Sequence, residues 1–256
     1  MTESDKILVP KDLYKEQYSP EFAGRWDELI DWQRRGEAEN NFFQDILKGH
    51  GVETVLDIAC GTGFHSVTLK ADGFQVTAAD GAPNMLVWTR QNAQRLGIGD
   101  LRIVEAEWTR LGESFAGEQF DAVICLGNAF THLFDEGDRI KALSEMYKLL
   151  TRDGIAIIDQ RNYDAILDNG FSSKHQSYYL GEKVEVRPEY LSEDLLTMRY
   201  KYEDGEVHFL TLCPIRQEYV TNLLLDAGFR SVKRYGDFVE NYDLYEPDFV
   251  IQVARK

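Results

Sequence analysis

The chain has 256 residues, 43% of them hydrophobic, and a formal net charge of −16. This is enough for one large α/β domain with an insertion, and the acidity repels nucleic-acid phosphates and so speaks against a DNA or RNA substrate. No apolar run is long enough to span a membrane, residues 1–10 lack an apolar leader, and three scattered cysteines (Cys60, Cys125, Cys213) point to reduced thiols in a cytoplasmic protein.

The first 20 residues are polar and read as mobile unless docked. The stretch around Trp26 reads by pattern as an amphipathic helix with a core tryptophan. Helix-like and strand-like stretches then alternate from Val52 to about Asp159. Strands are expected at Thr54–Leu56, Gln75–Ala79, near Leu101–Val104, at Phe120–Leu126 and at Ile155–Ile158. Helices are expected at His65–Lys70, from Pro83 to about Leu96 and from Asp138 to Leu150. Arg152-Asp153-Gly154 reads as the turn into the fifth strand. Continuous apolar strands of this kind belong to a buried parallel sheet. From Tyr178 to about Cys213 the chain becomes β-rich and aromatic, with Glu203-Asp204-Gly205 as a hairpin turn. A helix from Gln217 to Ala227, ended by Gly228, leads to strands near Ser231–Lys233 and Phe249–Val253. The expected fold is α/β: a doubly wound, mostly parallel sheet with an antiparallel β-rich insertion placed as a lid over the carboxyl edge.

The stretch Asp57-Ile58-Ala59-Cys60-Gly61-Thr62-Gly63 joins the first strand to the first helix of that sheet. Gly61 and Gly63 let a ligand lie against bare backbone beside a helix N-terminus. Asp80 closes the second strand 23 residues after Asp57, where a carboxylate can accept both hydroxyls of a ribose. A dinucleotide fingerprint would carry a third glycine where Ser66 stands, and Asp57 would repel a pyrophosphate. A cationic ligand with an amino-acid end and a ribose suits the pair better, and S-adenosylmethionine (SAM) is such a ligand. The alternative is a purely structural strand-to-helix turn.

Other groups lie at the same edge. Asn128 ends the fourth strand and reads either as a ligand for an amine or carboxylate or as a cap or turn residue. Arg161 ends the fifth and reads either as a carboxylate clamp or as half of a structural ion pair. Glu107-Trp108 follows the third strand, where the indole either stacks on adenine or only packs. The five histidines (His50, His65, His132, His175, His208) show no metal-ligand spacing, and no metal is expected.

Two longer motifs, Val123-Ile124-Cys125-Leu126-Gly127-Asn128-Ala129-Phe130-Thr131-His132-Leu133 and Asp159-Gln160-Arg161-Asn162-Tyr163-Asp164-Ala165-Ile166-Leu167, resemble the glycine N-methyltransferase family. The likeness is strongest to the microbial glycine/sarcosine N-methyltransferases that make betaine, and it extends from about Asp12 to the end of the chain. It implies a Rossmann-like SAM-dependent methyltransferase converting glycine to sarcosine and sarcosine to N,N-dimethylglycine. It also implies site roles. Tyr18, Trp26 and Arg35 would close over SAM; Ala59 and Asp80 would contact its methionine and ribose; Glu107 and Trp108 its adenine; Leu126 would give a backbone contact. Asn128, Arg161 and Tyr202 would form the acceptor site, with arginine on the carboxylate and Asn and Tyr on the amine. Tyr200 lies two residues from Tyr202, and the Lys201-Tyr202 context favours Tyr202.

The sequence departs from the animal enzymes in two places. No counterpart of their extended N-terminal segment precedes Asp12, which argues for a monomer or weak oligomer without folate control. Leu212 stands where they carry a tyrosine. The expected organisation is an N-terminal helical cover (residues 1–50), a SAM-binding core (51–160), a β-rich acceptor-side insertion (161–214) and the rest of the core (215–256). Two alternatives stay open: a methyltransferase for another small amine such as dimethylglycine, and a low-turnover SAM- or folate-binding regulator.

Overall fold

The computed structural model describes residues 9–172 and 183–256; the expected strand start at Tyr178 and His175 lie outside them. Seven strands form the main sheet: β1 (Thr54–Asp57), β2 (Gln75–Asp80), β3 (Arg102–Glu105), β4 (Phe120–Cys125), β5 (Leu150–Arg161), β9 (Ser231–Gly236) and β10 (Phe249–Arg255). Their order is β3-β2-β1-β4-β5-β10-β9, parallel throughout except for β10, which runs against both neighbours.

The continuous apolar strands are explained by cover on both faces. In β4, Ala122 and Ile124 face one helical layer while Val123 and Cys125 face the other. One layer contributes Phe43, Leu47, Val67 and Leu86; the other contributes Leu143, Met146, Val220 and Leu224. Each such side chain, once buried, is worth about 1.5–3 kcal/mol, so the sheet's centre is its most firmly held part.

Two expectations are corrected. Arg152-Asp153-Gly154 is not a turn before β5 but a bulge within it: pairing with β4 jumps from Phe120↔Leu150 to Ala122↔Ile155. Buried Leu150 anchors the strand immediately after the preceding helix, and a Cβ at Gly154 would lie 2.9 Å from the Asp121 carbonyl oxygen. The N-terminal helix around Trp26 is three helices, Pro20–Gly24, Trp26–Ile30 and Trp32–Glu39. Asp31, at φ +38°, turns the chain between the last two, and its side chain accepts the Arg34 N–H.

A second sheet, β6 (Val184–Leu191), β7 (Leu196–Tyr202) and β8 (Val207–Leu212), is antiparallel in the order β6-β7-β8. The expected hairpin turn joins β7 to β8, with Gly205 at φ +91°. Alternate residues of β7 (Leu196, Met198, Tyr200, Tyr202) are buried against Phe22, Leu29, Ile30 and Tyr163. The insertion therefore stands on the N-terminal helices and on the carboxyl end of β5. The N-terminal segment is docked from Leu13 onward: Gln17 and Thr211 of β8 exchange hydrogen bonds of 2.9 and 3.0 Å.

Candidate active site

Beyond β1 the chain makes its tight turn through two positive φ angles, +55° at Gly61 and +100° at Gly63. The glycines serve different ends. A Cβ at Gly61 would enter open space, its nearest neighbour Trp26 Nε1 at 4.0 Å, whereas one at Gly63 would press on Thr89 Cγ2 at 3.0 Å. Gly61 leaves room for a ligand; Gly63 lets helix Phe64–Ala71 approach helix Pro83–Arg95.

That room is a cavity along the carboxyl edge. Tyr18, Trp26, Arg35, Ala59, Gly61, Asp80, Glu107, Trp108 and Leu126 all line it, and Asp57 and Gly63 do not. Asp57 points away, into the protein. Its carboxylate accepts the Ser66 hydroxyl at 2.7 Å and the Ala59 N–H at 3.2 Å, so it shapes the loop from behind. Asp80 does face the cavity. Its two oxygens accept Gly61 N–H at 2.9 Å and Ala82 N–H at 2.8 Å, and burial, only partly offset by these donors, pushes its pKa up to about 6.

Opposite the loop, the N-terminal helices close the cavity. Asp27 ties them down, accepting from Thr62 Oγ1 (2.5 Å), Trp32 Nε1 (2.9 Å) and Asn92 Nδ2 (2.7 Å). Arg35 is held by Glu39 at 2.8 Å, and Glu39 in turn contacts His65 Nε2 at 3.0 Å; all three are buried. At the far end the Trp108 N–H donates to the Ile58 carbonyl at 2.6 Å. Its ring lies nearly parallel to Tyr14, with centroids 6.4 Å apart. Tyr14 donates to Glu107 at 2.9 Å, and Lys15 makes a close ion pair with the same carboxylate.

A second, smaller cavity adjoins the first. Asn128, Arg161 and Tyr200 line its polar side, and Leu29, Leu210 and Leu212 its apolar side. Tyr18, Trp26, Ile30, Gly127 and His132 border both cavities and mark where they meet. Arg161 is 6% exposed, lies 5.0 Å from the Phe249 ring and 5.7 Å from the Phe171 ring, and makes no ion pair with a carboxylate among the described residues. The ion-pair alternative for Arg161 thus has no partner there. The Asn128 side-chain oxygen accepts the Arg161 N–H at 2.9 Å and the Tyr163 hydroxyl at 3.0 Å, so much of its acceptor capacity is engaged within the protein.

Tyr202, the tyrosine expected at the acceptor, does not line this cavity, whereas Tyr200 does. Both lie on the buried face of β7, but Tyr202 sits at the hairpin end, under the Arg25 guanidinium at 3.9 Å, with its hydroxyl on the Arg25 carbonyl at 3.2 Å. Tyr200 is the one beside Asn128 and Arg161. Burial pushes its phenol up to about 12, so it remains a hydrogen-bond donor across the physiological range.

His132, Ile30, Tyr14 and Asp27 were not singled out by sequence reasoning. His132 lies within the Val123–Leu133 motif, yet nothing in its spacing distinguishes a cavity histidine from a surface one. Burial lowers its pKa to about 4, so the imidazole is neutral, and its Nε2 lies 3.1 Å from the Tyr18 hydroxyl.

The residues lining the larger cavity are of kinds that could hold SAM: the Asp80 carboxylate could accept ribose hydroxyls, the buried Arg35 guanidinium could face a carboxylate, and Glu107 with the Trp108 indole could border a base. A family profile described as "Methyltransferase domain" matches residues 55–154. A glycine/sarcosine N-methyltransferase from Aphanothece halophytica is 49% identical over 245 residues, covering 96% of this chain and 92% of that protein. A glycine/sarcosine/dimethylglycine N-methyltransferase from Actinopolyspora halophila is also 49% identical, but the chain spans 43% of its length. Among solved structures, the methyltransferase CcbJ from Streptomyces caelestis superposes with a TM-score of 0.72 at 17% identity, covering 96% of this chain and 99% of that one; at that identity the likeness speaks for the fold alone.

Proposed function

The chain belongs to the family of glycine/sarcosine N-methyltransferases, and from that premise we propose that it methylates the amine of glycine and then of sarcosine, with SAM as the methyl donor. The observation that carries the acceptor assignment is Arg161: a buried guanidinium facing a small cavity with no carboxylate partner among the described residues. An unpaired buried cation is costly, and an amino-acid carboxylate supplies the missing anion in bidentate geometry. The third acceptor named for the Actinopolyspora relative is not carried over, because the chain spans less than half of that protein.

In this reading Asp80 holds the ribose, Arg35 the methionine carboxylate, and Trp108 with Glu107 the adenine side, while Tyr18 and Trp26 exclude water. Bound SAM supplies a methyl group on a sulfonium, whose leaving group is a neutral thioether. The protein's task is therefore to position the acceptor and keep its nitrogen unprotonated, without a strong acid or base. Arg161 anchors the acceptor carboxylate, Tyr200 orients the amine, and Asn128 fixes the Arg161 backbone. Residues 1–50 act as the cofactor cover, 51–160 and 215–256 as the core, and 161–214 as the acceptor side. Among the described residues no helix is long and apolar enough to cross a membrane, and the free thiols favour the cytoplasm, where dimethylglycine would feed betaine synthesis as an osmoprotectant.

The test is methyl transfer from radiolabelled SAM to glycine, sarcosine and dimethylglycine. Label should enter the first two; failure with both would overturn the reading.

A further inference from the structure

We infer that Ile30 is the seat for the N-methyl group of the second acceptor, and so sets how well sarcosine competes with glycine. The inference rests on the acceptor reading above and adds a specificity-determining residue to it. With the acceptor carboxylate on Arg161, the amine must reach the place where the two cavities meet, because only there can it face the methyl donor. Five residues border both cavities, and they are chemically unlike. Tyr18 and His132 are polar and engaged with each other at 3.1 Å. Gly127 has no side chain. Trp26 is wedged against Tyr18 and Phe22, with ring centroids 5.2 and 5.3 Å away. Ile30 is the aliphatic one among these described residues, buried to 6% exposure, and the apolar side of the acceptor cavity continues from it.

A glycine nitrogen carries only hydrogens beside the attacking lone pair; a sarcosine nitrogen also carries a methyl. That methyl is poorly placed against the Tyr18–His132 pair, whose hydrogen bond it would disturb, and well placed against Ile30. One methyl or methylene in an apolar pocket changes relative kcat/KM by roughly 10–200-fold, so the size of residue 30 should be read directly in the ratio between acceptors.

The experiment compares wild type with Ile30→Phe, Ile30→Val and Ile30→Ala, measuring kcat/KM for glycine, sarcosine and N-ethylglycine and the Kd for SAM. Ile30→Phe fills the seat, and the sarcosine-to-glycine ratio should fall by about tenfold or more. Ile30→Ala enlarges it, and the N-ethylglycine-to-sarcosine ratio should rise by about tenfold; Ile30→Val should move the same ratio in the same direction by less, and it keeps the test open if the alanine variant folds poorly. Ratios unchanged within twofold of wild type, even where activity toward all acceptors falls together, would overturn the inference and leave Ile30 a packing residue. Wild-type protein that methylates neither glycine nor sarcosine would instead overturn the functional reading itself.

Discussion

The side-chain oxygen of Asn128 accepts the backbone N–H of Arg161 at 2.9 Å, so the ends of β4 and β5 are locked together at the acceptor cavity. Asn128 holds φ +63°, and its own N–H donates to Asp159 at 2.8 Å. In the proposed reading the amide therefore acts on the acceptor largely through Arg161. Asn128→Ala would strand the Arg161 N–H and the Tyr163 hydroxyl in the interior. Leaving a buried group unsatisfied costs about 1–3 kcal/mol, so the urea midpoint should fall with an unchanged slope, and acceptor kcat/KM should fall with it.

The two β7 tyrosines should separate cleanly. Tyr200→Phe removes a donor from the acceptor cavity and should lower acceptor kcat/KM by about tenfold, the worth of one hydrogen bond, with little change in SAM affinity. Tyr202→Phe removes only the bond to the Arg25 carbonyl. It should cost about 1 kcal/mol of stability in a denaturant titration and leave the relative use of acceptors unchanged.

That distinction was beyond the sequence. In a strand, residues two apart share a face, so Tyr200 and Tyr202 look alike in pattern; what separates them is the docking of the hairpin end on Arg25, a contact made across 177 positions of chain. The glycine loop, Asp80 and Arg161 were legible because strand ends in a parallel sheet fall at one edge, and that follows from local periodicity alone. Asp57 reads as a ligand for the same reason, yet the Ser66 hydroxyl one helical turn into the next element captures it. The bulge at Arg152–Gly154 escaped because Gly154 is demanded by the approach of Asp121, not by a turn.

Cofactor affinity should depend on pH through Asp80. Burial raises its pKa to about 6, above the usual 3.8. In the ligand-free protein this carboxylate therefore contributes its stability below the unfolded value and loses it as pH rises through about 6. Ribose hydroxyls donate to the ionised form, so SAM Kd should be flat above about pH 6 and weaken by up to tenfold for each unit below. Calorimetry from pH 5 to 8 measures this, and Asp80→Asn should abolish the dependence along with most of the affinity.

Acceptor turnover should depend on pH through the acceptor itself. Only a neutral amine has a lone pair to attack the methyl group, and alkyl amines are mostly protonated at neutrality. His132, held near 4, and Tyr200, near 12, do not titrate between pH 6 and 10. With SAM saturating, acceptor kcat/KM should therefore rise toward roughly pH 9. A flat profile from pH 7 to 9.5, with chemistry rate-limiting, would count against attack by an amine taken from solution.

The most direct test of the account is Arg161→Ala, assayed in parallel for glycine methylation, for methylation of ethylamine, which lacks the carboxylate, and for SAM binding. Charge-assisted hydrogen bonds are worth about 1.5–3 kcal/mol each, so kcat/KM for glycine should fall by roughly two orders of magnitude or more. Arg161→Lys should fall short of full rescue, since an ammonium cannot reproduce the planar fork. Ethylamine, a very poor acceptor for the wild type, should be affected far less, and SAM Kd should change little. If glycine turnover survives Arg161→Ala, or if SAM affinity falls as far as glycine activity does, the buried guanidinium is not the acceptor's anchor.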